Sequence, residues 1–277
     1  MFSPEQTFSN WKVTGFGNSP ALLFETLEST HSLMKAKSAA GKVIPGTLIV
    51  ANSQSAGRGR HERSWESPAG LNLYFNILIP LDGIPLSKAA QITQIAALTF
   101  AEIFKGLQED AISQGSGNTA LGKVTVKWPN DILCGKHKFC GILAEVIYAK
   151  GVDGTLKPAV SMGVGINVNS NGTDYARLER PITTLKDICG KTVNREKLLQ
   201  MLIASLERAV GQFKAFGIRP WVESWRQMDL FIGTRGTIVE NSVKKSGIIL
   251  DMQDDGSLLF KCDDGTTETV YSADLEI

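Results

Sequence analysis

A polar segment, Gln54-Ser55-Ala56-Gly57-Arg58-Gly59-Arg60-His61-Glu62-Arg63-Ser64-Trp65, separates two apolar runs and limits what the surrounding chain can fold into. Upstream, Thr47 to Ala51 reads as a short strand that ends at Asn52. Downstream, Leu71, Leu73, Phe75, Ile77 and Ile79 alternate with Asn72, Tyr74 and Asn76, which predicts a strand with one apolar face. The segment between them has neither a helical nor a strand period. A cationic loop hung between buried strands suits the gripping of phosphates, because glycine admits close backbone approach and arginine presents a planar fork. Solvated surface is the other reading of the same residues. Gly57 to Glu62 lacks the last glycine of the dinucleotide fingerprint, and no Gly-Lys-Ser/Thr ending marks a P-loop.

The remaining chain reads as alternating strands and helices. Met1 to Pro20 is polar and glycine-containing and is expected to form a loosely packed arm. Ala21 to Leu27 predicts a strand. Ser29 or Thr30 then caps a helix from His31 to Ala40, which Gly41 stops. Ile92, Ile95, Ala96, Thr99 and Ile103 give a buried stripe to a helix over Ser87 to Leu107, and Gln108 to Gly122 reads as an exposed loop. A strand over 124–128 stops at Pro129. Ile132 to Cys134, a Gly135-Lys136 turn and Lys138 to Tyr148 read as a hairpin, and Ala159 to Val168 as another strand. Asn194 to Phe216 is a second strong helix, and Pro220 opens a shorter one reaching about Leu230. After Ile232 come short β-like runs near 236–240, 246–252, 257–262 and 266–271, with hairpin turns at Asp255-Gly256 and Asp264-Gly265. The expected organisation is α+β: an arm over 1–20, a main domain over 21–231 and a small all-β domain over 232–277.

With 277 residues the chain is long enough for a sizeable core, and a formal net charge of +1 gives it no global attraction to nucleic acid or to anionic membranes. Cys134, Cys140, Cys189 and Cys262 lack zinc-type spacing and read as buried free thiols in a reducing compartment. No apolar run approaches membrane-spanning length, and the first twenty residues lack the basic start and apolar stretch of a secretory signal. A cytoplasmic protein is expected, with an organelle left open.

Two more segments bear on chemistry. In Lys127-Trp128-Pro129-Asn130-Asp131, a strand ends on an amide and a carboxylate, and a hairpin through Gly135-Lys136 returns Lys138 toward them. An ordinary Pro-Asn-Asp turn, with Asp131 bonded to nearby backbone, accounts for the same residues. Gly163-Val164-Gly165-Ile166-Asn167 places paired glycines inside a strand, which suits close approach by a ligand or by another backbone, or a bulge.

Taken in order, Gly57-Arg58-Gly59-Arg60 with Trp65, then Lys127 to Asp131, then Lys138-Phe139-Cys140-Gly141-Ile142-Leu143-Ala144-Glu145, then Gly163 to Asn167, closely resemble the motif series of biotin protein ligases. The resemblance runs from about Leu22 to the C-terminus. It implies a mixed β-sheet flanked by helices, distantly like class II aminoacyl-tRNA synthetases, followed by an SH3-like β-barrel. It also implies a two-step reaction. Biotin and ATP, with Mg2+ whose ligands the resemblance does not place, give biotinyl-5'-AMP and pyrophosphate. A lysine on the biotin-accepting domain of a carboxylase then takes the biotin.

The implied catalytic residues are Lys138, Arg58, Arg60 and Asp131. Fixed cations bring two anions together, and Asp131 orients the incoming amine and accepts its proton. Ser29, Thr30, Gln54, Gly57, Arg58, Lys138, Gly141, Gly163 and Gly165 are implied to bind biotin. Arg58, Arg60, Trp65, Asn130, Lys138 and Asn167 are implied to bind ATP and the adenylate. Monomer and homodimer both stay open.

The sequence departs from the family pattern at His31, where asparagine is common, and at Glu62, where glycine or asparagine is frequent and where a carboxylate could pair with Arg63. Only about twenty residues precede the first strand of the main domain, too few for three helices of roughly 11 residues each, so no DNA-reading module and no repressor role are expected. A lipoate ligase and a non-catalytic binding module are the competing readings. The arginine loop with Lys-Trp-Pro-Asn-Asp favours biotin over lipoate. The lack of a basic stripe interleaved with aromatic residues disfavours nucleic acid.

Overall fold

Alternation at 71–79 becomes β3 (Leu73–Pro80), yet Tyr74, Asn76 and Leu78 are as fully buried as Phe75, Ile77 and Ile79. The expectation of one apolar face therefore gives way to a strand covered on both faces. The reason is its place in the sheet. The computed structural model describes residues 7–61, 63–176, 178, 181–240 and 243–277. Within it β1 (Ala21–Leu27), β2 (Leu48–Gln54), β3, β4 (Val124–Lys127), β5 (Asp131–Cys134), β6 (His137–Lys150) and β7 (Leu156–Ile166) form a seven-stranded sheet in the order β1-β2-β3-β7-β6-β5-β4. The β1–β2 pair is parallel and every other neighbouring pair is antiparallel, so the sheet is mixed.

Helices cover both faces. On one, α1 (Thr30–Ala39) places Met34 against Ile49, Leu78 and Ala159. On the other, the main core joins Phe75, Ile77 and Met162 of the sheet to α2 (Gln91–Ser113), α3 (Leu185–Cys189) and α4 (Arg195–Phe216). No helix among the described residues is long and apolar enough to cross a membrane.

Two expectations need correction. The helix expected over Ser87 to Leu107 starts at Gln91 and runs on to Ser113, into the stretch read as loop. Tertiary contacts hold the extra turns: Ala111 is buried, and Gln108 donates to the Gly122 carbonyl at 2.7 Å while accepting from Val124 N at 3.1 Å. The N-terminal arm is also not loose where it is described. Phe8, Trp11 and Phe16 enter the main core, the Arg195 guanidinium stacks 5.1 Å from the Trp11 ring, and Lys12 N donates to Glu196 at 2.5 Å. Residues 1–6 of that arm lie outside the described residues.

After α5 (Arg219–Met228) come β8 (Arg235–Glu240), β9 (Val243–Met252), β10 (Leu258–Cys262), β11 (Thr267–Val270) and β12 (Asp274–Glu276). They form a separate antiparallel sheet in the order β11-β10-β9-β8-β12, as an SH3-like unit requires. Its Asp255-Gly256 turn is the point of attachment. The Gly256 carbonyl accepts from Gln94 Nε2 at 2.6 Å and from Trp128 Nε1 at 3.1 Å, and the Asp255 carbonyl accepts from Gln91 Nε2 at 2.7 Å. A bidentate Arg226–Asp251 pair at 2.8 and 2.9 Å adds a second tie. Gly256 has φ +82°, and a Cβ there would stand 2.4 Å from Gln94 Oε1 and 2.8 Å from Ile218 Cδ1. Gly256→Ala is therefore expected to lose at least the ~1–2 kcal/mol of a left-handed non-glycine residue, read as a lower urea midpoint. A midpoint unchanged from the parent chain would show that this turn does not anchor the small sheet.

Candidate active site

Register sets the floor of a cleft on the α1 side of the sheet. Tyr74, Gly165, Gly141 and Asp131 lie side by side in one row across β3, β7, β6 and β5, and Asn76, Gly163 and Leu143 form the next row. Glycine at 141, 163 and 165 leaves main chain bare where side chains would otherwise stand. The Trp65 indole lies on this floor: a Cβ at Gly165 would be 2.4 Å from Trp65 Cε2, and one at Gly141 would be 3.0 Å from Trp65 Cζ3. Gly163 faces His31 and Asn76 at 3.5 Å, an ordinary contact distance. The cleft is open to solvent and has a cavity volume of about 80 Å³.

The arginine loop folds back on itself. Trp65 N donates to Gly57 O at 2.9 Å, Gly59 N to Arg63 O at 2.7 Å and Arg63 N to Arg60 O at 3.1 Å, with His61 at φ +50° in the turn. Glu62 lies outside the described residues, so its expected pairing with Arg63 is not part of this picture. Arg58 and Arg60 line the cleft, and Arg60 Nη1 donates to Asn130 Oδ1 at 3.1 Å. Asn130 is held in turn by the Ile142 carbonyl, which accepts from its Nδ2 at 2.7 Å. Gly57 is not on the cleft wall. A Cβ there would meet Trp65 O at 2.4 Å and Ser67 Oγ at 2.7 Å, so only glycine lets the loop close at this point.

A bulge brings lysine and carboxylate together. Asp131 pairs with Gly141 and Leu133 with Lys138, with a register shift between Ile132 and Leu133, so Lys138 emerges on the same face as Asp131 and Gly141. Lys138 Nζ sits 2.6 Å from Asp131 Oδ1 and 5.6 Å from the Trp65 ring centroid, a cation–π contact. Lys127 stands beside Asp131 in the β4–β5 register, and burial is the main cause that lowers its pKa. Cys140 on the opposite face is fully buried; burial raises its thiol pKa, which makes it inert as a nucleophile.

The far wall is polar and internally satisfied. Ser29 caps α1, its Oγ accepting from Ser32 N at 3.4 Å, so the cap falls to Ser29 and not to Thr30. Thr30 donates to Gln54 Oε1 from both N (2.8 Å) and Oγ1 (3.1 Å), and Gln54 Nε2 donates to Ser67 Oγ at 2.9 Å. Asn167 is separated from this wall. It borders a smaller recess beyond Trp65, shared with Lys138 and Tyr175, and its Nδ2 donates to the Thr183 carbonyl at 3.4 Å.

Three residues had no assigned role in the sequence reading. Asp274 of β12 reaches the cleft from the small sheet and meets Arg60 Nη1 at 3.5 Å, His61 Nε2 at 3.3 Å and Arg63 Nη2 at 3.0 Å. Arg63 and His61 sit inside a conspicuous motif, so their position was available. Nothing around Asp274 in the sequence sets it apart from other tail carboxylates. Among the described residues, no three His, Cys, Asp or Glu side chains are placed to hold a metal ion. Of the cleft carboxylates, Asp131 and Asp274 are already matched by cations.

Because the indole rests directly on bare backbone, Gly165→Ala is expected to lift Trp65 from the floor while leaving the sheet intact. The check is the indole N–H resonance of Trp65, which should move while far-ultraviolet circular dichroism does not. An unmoved resonance would contradict the contact.

Comparison with known proteins follows the same boundaries. Residues 23–167, from the first strand to the end of the paired-glycine motif, match the Biotin/lipoate A/B protein ligase family. The chain is 31% identical over 257 residues to the bifunctional ligase/repressor BirA of Bacillus subtilis, covering 92% of this chain and 72% of that protein. It is 28% identical over 247 residues to the biotin–acetyl-CoA-carboxylase ligase of Mycobacterium tuberculosis, covering 88% and 84%. Among solved structures, the biotin protein ligase of Aquifex aeolicus in complex with biotin and ATP superposes with a TM-score of 0.71 at 23% identity, covering 92% of this chain and 97% of that one, a likeness of fold. The matched span holds the arginine loop, the Lys127–Asp131 segment, Lys138 and the three floor glycines, and on these grounds the chain belongs to the Biotin/lipoate A/B protein ligase family.

Proposed function

We propose that this chain is an ATP-dependent biotin–protein ligase that makes biotinyl-5'-AMP and passes biotin to a lysine of a carboxylase's biotin-accepting domain. One observation carries the reading: Arg58, Arg60 and Lys138, from two distant segments, line a single cleft whose floor is bare backbone and whose flank holds Asp131. Support for the substrates comes from relatives that are named as biotin ligases and from a structural neighbour solved with biotin and ATP.

In the first step a biotin carboxylate oxygen attacks the α-phosphorus. The new bond is an acyl phosphate, and the bond from that phosphorus to the pyrophosphate oxygen breaks. Two anions must approach, and the fixed cations offset their repulsion in the transition state. Mg2+ would come with ATP and neutralise the substrate phosphates that the fixed cations do not reach. Ser29, Thr30 and Gln54 supply hydroxyl and amide groups for the ureido end of biotin. Gly141, Gly163 and Gly165 let the ligand lie on main chain, Trp65 and Asn130 border the adenylate, and Asn167 serves the adenine from the recess beyond the indole.

In the second step a neutral ε-amine attacks the acyl carbon, the bond from that carbon to the phosphate oxygen breaks, and AMP leaves. Asp131 orients the amine and accepts its proton, directly or through a water. Lys138 and Asp131 neutralise each other as an ion pair at 2.6 Å. An acyl phosphate that draws Lys138 toward itself opens the carboxylate toward the amine, which orders the two steps.

Some relatives are bifunctional ligase/repressors. For this chain the proposal is ligase activity without a repressor role.

The deciding experiment is pyrophosphate release that requires both biotin and ATP, followed by a biotin mass increment on an acceptor domain. Lys138→Met is expected to lower the rate of pyrophosphate release by about 10²–10³-fold, the range for one preorganised donor. Release driven by lipoate and not by biotin would move the chain to the other branch of its family. Release with neither would remove the enzymatic reading.

A further inference from the structure

His31 stands where the resemblance leads one to expect asparagine, and its surroundings are specific. The ring is 2% exposed and lies between the first turn of α1 and the sheet, at the edge of the cleft. Nδ1 is 3.2 Å from Asn76 Nδ2. Asn76 in turn donates to Ser161 Oγ at 3.0 Å and accepts from it at 3.2 Å, and both residues are wholly buried. An amide NH2 facing Nδ1 requires Nδ1 to be the acceptor, so in the neutral ring the proton is on Nε2. Nε2 lies 3.2 Å from Glu145 Oε1 but off the N–H axis, and this buried atom has no aligned hydrogen-bond partner. Lys35 Nζ holds the other oxygen of Glu145 at 2.5 Å. A chain of contacts thus runs Ser161–Asn76–His31–Glu145–Lys35, from β7 and β3 through α1 to β6 and back to α1.

We propose that His31 is a positioning residue of the biotin pocket: its neutral Nε2–H form, with Nδ1 accepting from Asn76, ties the Ser29-Thr30 turn to β3 and, through Ser161, to β7, and only that form holds the turn in its binding geometry. The inference rests on the biotin-ligase reading above. Protonation would set two donors against each other at Nδ1 and Asn76 Nδ2, and would place a buried positive charge in the cleft wall. The charged groups facing the ring are Glu145 from β6, Lys35 from its own helix and Arg58 from the loop, while β3 and β7 present only the neutral Asn76 and Ser161. Burial is the largest influence and lowers the ring pKa below 6.5; Glu145 opposes it, and Lys35 and Arg58 reinforce it. The neutral form therefore prevails at neutral pH, and the pocket is disturbed only on the acid side.

The test is the dissociation constant for biotin, measured by calorimetry from pH 5 to 8 on the full chain, with circular dichroism confirming the fold at each pH. Wild type should bind evenly above 6.5 and weaken by up to about tenfold per pH unit below the ring's pKa, the slope of one linked proton. His31→Asn keeps a side chain that can accept from Asn76 but cannot take up the proton; its profile should stay flat apart from any titration of biotin itself, which both proteins share. Glu145→Gln, a change at a side chain 39% exposed, removes the charge that raises the ring's pKa, so its break should shift to lower pH. Coincident profiles for wild type and His31→Asn, or an unmoved break in Glu145→Gln, would overturn the proposal. Folded wild-type protein that binds no biotin at any pH would refute the ligase reading itself, and the proposal with it.

Discussion

Like charges crowd this cleft, and opposite charges drawn from separate parts of the chain keep them there. Arg58, Arg60, Arg63 and Lys138 all line it. Asp131 answers Lys138 across a hairpin, and Asp274 answers Arg60 and Arg63 from the other end of the sequence. These contacts do not hold the fold together. Arg63 is 57% exposed, so its pair contributes at most about 1 kcal/mol, and the more sheltered Arg60 also has Asn130 to direct it. Their effect is on placement, since they hold flexible cations beside the bare backbone of Gly141 and Gly165.

That placement depends on how firmly the small sheet is seated. Asp274 can reach the arginine loop because the Asp255-Gly256 turn is pinned to Gln91, Gln94 and Trp128. Trp128 belongs to the same short segment as Asn130 and Asp131, so one stretch of chain both anchors the neighbouring unit and supplies groups to the cleft. Packing and site geometry are coupled here through a few residues of sequence.

Much of this was legible beforehand, and the reasons for the misses are physical. Period-two and period-3.6 patterns located β3 and α4, because apolar residues recurring on one face leave a local trace even where, as in β3, the other face is buried too. The Gly135-Lys136 turn was enough to bring Lys138 back to Asp131. The last turns of α2 were missed because Gln108 and Ala111 are fixed by contacts remote in sequence, and the apolar anchors Phe8, Trp11 and Phe16 of the arm are too sparse to show a period. The motif marks Gly57 for close backbone approach, and the local contacts that leave no room for a Cβ there come from Trp65 and Ser67 within the loop. Asp274 gave no local signal, since its partners lie some two hundred residues away in the chain.

The bare floor has a consequence for how such a site can vary. At Gly141 and Gly165 no smaller residue exists, so every replacement adds atoms where the indole already rests. Change there runs in one direction, toward filling. Diversification by subtraction is confined to the rim, where side chains such as Thr30, Gln54 and Arg63 still have atoms to lose. Descendants of this chain that acquire a roomier cleft must therefore carve it from the walls, with the base left at its original depth.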